Sequence, residues 1–98
     1  MIDFVDGIHS LADLKAFIHR KLCEKENLLP EEFSLLETQL KRGGRTCGMR
    51  FAIKGPRAVR LGAIWEADRN CVYLYDSRGV RFQKLQLRSC LKPVAAAD

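Results

Sequence analysis

The chain has 98 residues, is 47% hydrophobic and 30% charged, and carries a net charge of +5. That length holds one modest core, and that composition excludes a disordered chain. No uncharged run approaches the length of a bilayer crossing, and the acidic start Met1-Ile2-Asp3-Phe4-Val5-Asp6 lacks the cationic, then apolar, order of a secretory signal, so the expected setting is cytoplasmic, with no membrane.

Cys23, Cys47, Cys71 and Cys90 are far apart and form no C-x-x-C pair. Free thiols, buried or half-buried, are expected rather than a disulfide scaffold or a zinc knuckle. The charge is divided unevenly. Residues 1–40 hold four basic and eight acidic side chains, a net of −4, whereas residues 41–98 hold thirteen basic and four acidic, a net of +9. A split this large means that the two parts attract each other or that the second part meets an anion.

Residues 1–9 read as an entry segment. Ser10 offers an N-cap, and Asp13 sits where a short acid closes a capping box and faces the helix dipole favourably. Leu11, Leu14, Ile18 and Leu22 then recur at spacings of three and four, with Phe17 beside them. This apolar stripe predicts an amphipathic helix over 11–25, ended by Asn27-Leu28-Leu29-Pro30 because proline disfavours helical geometry in the residue before it. Residues 31–42 fit two templates. Phe33, Leu36 and Leu40 suit a helix ended at Gly43, while Leu36, Thr38 and Leu40 alternating with Glu37, Gln39 and Lys41 suit a strand. The glycine-rich loop that follows favours a short turn at 30–33 and a strand at about 36–42.

Lys41-Arg42-Gly43-Gly44-Arg45-Thr46-Cys47-Gly48 is basic and flexible, which invites a phosphate-loop reading. A phosphate loop runs from strand to helix and carries Lys-Ser/Thr after its last glycine. This loop leads into a strand, so a hairpin turn is expected. Met49, Phe51 and Ile53 then alternate with Arg50, Ala52 and Lys54. Val59, Leu61, Ala63 and Trp65 alternate with Arg60, Gly62, Ile64 and Glu66. A three-residue turn at Gly55-Pro56-Arg57 keeps like faces together, opposing Ile53 to Val59 and Phe51 to Leu61. The loop Ala67-Asp68-Arg69-Asn70 opposes Trp65 to Val72 and Ile64 to Tyr73. The turn at Asp76-Ser77-Arg78-Gly79 opposes Tyr75 to Arg81 and Leu74 to Phe82. Leu85 and Leu87 are out of phase with Phe82, which predicts a bulge near Gln83-Lys84.

The expected fold is α+β, one N-terminal amphipathic helix packed on a four- to five-stranded antiparallel β-meander, forming a single domain over 1–92 with a disordered tail at 93–98. One sheet face is apolar, with Met49, Phe51, Ile53, Leu61, Trp65, Val72, Leu74 and Phe82. The other holds Arg50, Ala52, Lys54, Arg60, Gly62, Ile64, Tyr73, Tyr75, Arg81 and Gln83. Together with Arg42 and Arg45 of the glycine-rich loop, Arg50, Lys54, Arg60, Tyr73, Tyr75 and Arg81 are the candidate binding residues. Three readings fit this face: a solvated sheet surface, a protein or homodimer interface built from Tyr and Arg, and an RNA or single-stranded DNA surface pairing cations with stacking rings. The expected function is a small non-enzymatic interaction module, with nucleic-acid binding through the same face and the 41–50 loop as the alternative. His9 and His19 have no carboxylate or cysteine at a dyad spacing, and no cofactor or metal motif is present.

The run from Gly55-Pro56-Arg57 to Ala63-Ile64-Trp65-Glu66, then Asp68-Arg69-Asn70, then Arg81-Phe82 with Lys84, preceded by Gly43-Gly44 and Cys47-Gly48, resembles small proteins of planctomycete bacteria with no assigned activity. The resemblance spans about residues 10–87. It implies the strand reading of 36–42 and carries over no site residues.

Overall fold

A computed structural model describes residues 3–88 and Leu91. Seven main elements follow in chain order: β1 (Asp3–Val5), α1 (Leu11–Lys25), β2 (Leu36–Arg42), β3 (Arg45–Lys54), β4 (Arg60–Glu66), β5 (Cys71–Tyr75) and β6 (Arg81–Leu87). The fold is α+β with one helix on one sheet, but the sheet has six strands in the order β1-β6-β5-β4-β3-β2. Strand β1 accounts for the excess over the expected count. The entry segment returns to pair parallel with β6, Asp3 beside Leu85 and Val5 beside Leu87. The 93–98 tail lies outside the described residues.

Helix α1 has the expected bounds. The Ser10 hydroxyl accepts the Asp13 backbone N–H at 3.1 Å, and the Asp13 carboxylate reaches back to the His9 N–H at 3.0 Å. The helix does not wait for Pro30 to end. Asn27 adopts φ 56°, its N–H bonds the Glu24 carbonyl, and the Leu28 N–H bonds the Cys23 carbonyl at 2.8 Å. This paired closure satisfies carbonyls that would otherwise be orphaned three residues before the proline. Leu14, Ile18 and Leu22 are buried in one core cluster with Phe51, Ile53, Trp65 and Leu74. Each such side chain contributes roughly 1.5–3 kcal/mol on burial.

Strand β2 resolves the ambiguity of 31–42 in favour of a turn and then a strand. Gly43 and Gly44, at φ 60° and 82°, close the two-residue turn between Arg42 and Arg45. Positive φ at both turn positions matches the twist of a hairpin and suits glycine. The β4–β5 register is as expected, with Trp65 opposite Val72 and Ile64 opposite Tyr73.

Two registers differ. Across β3–β4, Ile53 opposes Leu61 and Phe51 opposes Ala63, two residues beyond the expected pairing. The three-residue loop is Pro56-Arg57-Ala58 rather than Gly55-Pro56-Arg57. Proline has no N–H to pair, so it takes a loop position, while the Gly55 N–H bonds the Val59 carbonyl at 2.7 Å and Arg57 absorbs the reversal at φ 58°. An even shift leaves both faces intact. Between β5 and β6 the register shifts at Leu74/Tyr75, so Leu74 opposes Gln83 and Tyr75 opposes Arg81. The bulge falls on Phe82, earlier than expected. This moves Gln83 to the helix side and Lys84 to the other.

Candidate functional site

The sheet face away from α1 follows from register. One row across five strands reads Leu36, Ala52, Gly62, Tyr75 and Arg81; the next reads Thr38, Arg50, Ile64, Tyr73 and Lys84. Small and apolar side chains form the floor, and cations stand around it. No described residue outside the sheet's own strands and turns lines the hollows in this floor.

Two adjoining concavities occupy the face. One, of about 500 Å³, is lined by Arg50, Ala52, Arg60, Gly62, Ile64 and Tyr75. The other, of about 390 Å³, is lined by Leu40, Arg42, Ile64, Glu66, Arg69, Tyr73, Tyr75 and Arg81. Ile64 and Tyr75 form the ridge they share. Six of the eight candidate residues therefore converge: Arg42, Arg50, Arg60, Tyr73, Tyr75 and Arg81. Arg45 and Lys54 stand outside the hollows.

Those two are nonetheless tied to the site. Arg45 is directly opposite Arg42 across β2–β3, and Lys54 is directly opposite Arg60 across β3–β4. Like charges directly opposite on a sheet destabilise it. All four side chains are exposed, and none has an ion-pair partner among the described residues. Arg50 and Arg81 are likewise exposed and without an ion pair among these residues.

Tyr73 is fixed from both ends. Its hydroxyl donates to Glu66 Oε1 at 3.0 Å. Burial, that hydrogen bond and the Glu66 charge hold its phenol above the usual value, so it stays neutral. Arg81 and Lys84 sit 5.4 and 5.6 Å from its ring centroid, within cation–π range. Two cations of β6 thus lie within cation–π distance of this ring, whereas no cation is so placed against Tyr75 among the described residues. Sequence reasoning missed Lys84, Arg69 and Glu66 as members. The Glu66 signal was its alternation with Ile64 on β4; Lys84 was hidden by the position of the bulge, and Arg69 by its place in a loop.

Neither concavity is lined by a histidine. The His19 ring meets the Phe33 carbonyl at 2.6 Å, far from this face, and ties α1 to the 31–35 segment. Among the described residues no three His, Cys, Asp or Glu side chains are grouped to hold a metal. Cys23, Cys47 and Cys71 are free thiols, two of them buried. No described helix is long and apolar enough to cross a membrane.

Comparison with family models, with curated proteins and with solved structures gives no match. The planctomycete resemblance therefore rests on the sequence pattern alone.

Proposed function

We propose that this protein is a small non-enzymatic interaction module whose face opposite α1 receives an acidic segment of a protein partner. The observation that carries this reading is the pair of like-charge oppositions, Arg42 with Arg45 and Lys54 with Arg60. Each costs folding stability on an isolated chain, and a bound polyanion offsets both. The uneven charge of the sequence supports the same conclusion. Among the described residues one ion pair, Arg88 with Asp6 at 2.9 Å, joins the acidic first part to the basic second. Attraction within the chain thus uses little of the excess, which leaves an external anion to meet it.

The floor favours a peptide over a nucleic acid. Ile64, Leu40, Ala52 and Gly62 offer apolar and small surface between the cations, and half-buried Tyr75 suits a side-chain anchor. The Tyr73 ring already has Arg81 and Lys84 within cation–π distance, and these compete with a base for it. The alternative reading, single-stranded RNA or DNA, keeps the support of the excess of cations over the two carboxylates that line the concavities, Glu66 and Asp76. The cytoplasmic setting we propose rests on the three free thiols.

Fluorescence anisotropy tests the reading. A labelled peptide of alternating glutamate and alanine is titrated at two salt concentrations beside a single-stranded oligonucleotide of equal charge. The peptide is expected to bind at low salt, and Arg50→Ala with Arg60→Ala, or Tyr75→Ala alone, to weaken it. Binding of the oligonucleotide alone, with a steep log-linear salt dependence, transfers the site to nucleic acid. Peptide binding indifferent to these substitutions removes the face from consideration.

A further inference from the structure

Strand β2 is the long open edge of the sheet. It pairs with β3 on one side, and no described strand pairs with it on the other. The opposite edge, β1, has three residues, short enough to resist pairing with another chain. β2 has seven residues, no proline, and five of its side chains are exposed, including Leu36 at 49%. The irregularity at Leu40/Lys41 places its extra residue, Cys47, on β3, so β2 itself runs unbroken. An edge of this length and regularity is a template for an added strand unless something covers it.

The sequence of β2 is complementary to itself. In Leu36-Glu37-Thr38-Gln39-Leu40-Lys41-Arg42, the acid and the lysine stand two residues on either side of Gln39. We propose that β2 pairs antiparallel with β2 of a second copy about a two-fold axis at Gln39. This register uses all seven residues. It opposes Glu37 to Lys41 of the second copy twice per dimer, Thr38 to Leu40, and Leu36 to the aliphatic stem of Arg42. Centring the pair one residue either way shortens the overlap and leaves Glu37 without Lys41. The Lys15 ammonium, 2.9 Å from Glu37 Oε2, lies on the same side of the sheet and completes a Lys–Glu–Lys group at each end of the interface.

The axis runs normal to the sheet, so both copies present their cationic faces in one direction. The two basic hairpin tips at Gly43-Gly44 point to opposite ends and do not repel each other. A closed two-fold arrangement of this kind stops at the dimer. The inference does not rest on the acidic-partner reading, because the interface is main-chain pairing along an edge.

Sedimentation equilibrium across a concentration series, without any acidic ligand, tests it. Wild type is expected to be a concentration-dependent dimer. Glu37→Lys and Lys41→Glu each set like charges opposite each other at two places and should weaken the dimer about tenfold. The double variant should restore it, and so should an equimolar mixture of the two single variants, since each then meets its complement. A monomer up to millimolar concentration overturns the proposal. So does a dimer that the single variants leave unchanged, or one that neither the double variant nor the mixture restores.

Discussion

The Trp65 indole donates its N–H to Asn70 Oδ1 at 3.1 Å in the buried interior of the sheet. Asn70 adopts φ 53°, its amide nitrogen donates to the Leu87 carbonyl at 3.4 Å, and its own carbonyl accepts the Leu87 N–H at 3.0 Å. One residue thus ends the β4–β5 loop, satisfies the largest core side chain and ties both to β6. Asn70→Ala leaves the indole without a partner and strains the left-handed backbone. We expect a loss of about 2–4 kcal/mol. Trp65→Ala, which empties the centre of the core, should cost about 3–5 kcal/mol. Denaturant titration checks both; a midpoint within error of wild type for either variant would remove this contact from the supports of the fold.

Gly48 is required for closeness rather than for φ. A Cβ built there would lie 2.1 Å from the Trp65 carbonyl oxygen, which belongs to backbone and cannot swing away. Gly48→Ala should therefore force β3 and β4 apart and cost about 1–3 kcal/mol. Gly43 and Gly44 have open space around them, and their requirement is the turn geometry instead. Comparing melting temperatures of Gly48→Ala and Ala52→Gly separates a steric effect from general sensitivity of β3.

The like-charge pairs predict opposite effects on stability and binding. Replacing Arg45 or Lys54 by threonine relieves the repulsion across the strand and favours the sheet. Each change should stabilise the free protein by about 0.2–1 kcal/mol. The same variants should bind the acidic peptide more weakly, because a cation of the face is gone. Thermal melts and anisotropy on one preparation test both halves, and a destabilised variant would contradict the reading of these pairs as a folding cost.

The Asp76 carboxylate accepts the Val80 N–H at 3.0 Å and the Arg78 N–H at 2.9 Å. The Val80 hydrogen bond, then that of Arg78, then the Arg78 and Lys25 charges hold its carboxyl below the ordinary value, against desolvation. A depressed folded-state value means that the contribution is complete above the ordinary carboxylate range and is lost as pH falls through the folded value. Asp76→Asn should therefore be less stable than wild type at neutral pH, with the gap closing as the solution is acidified. Chemical denaturation at a series of pH values measures this, and a gap that persists in strong acid would place the effect outside titration.

The α1 stripe Leu14, Ile18 and Leu22, the alternation of β3 to β5 and the glycine turn at 43–44 were legible because each is local. Helix and strand periods lie within a dozen residues, and turn geometry lies within four. The division of the sheet into an apolar and a cationic face was legible for the same reason, since an even register shift preserves it. The pairing partners were not. Strand β1 joins β6 some eighty residues away, which no local pattern encodes. The choice of Arg57 as the left-handed loop residue set Lys54 opposite Arg60 instead of Ala58, and the bulge at Phe82 exchanged Gln83 for Lys84 beside Tyr73. Local periodicity assigns each side chain to a face; loop conformation and bulge position, chosen by core packing and backbone hydrogen bonding over long distances, decide which charges meet on it.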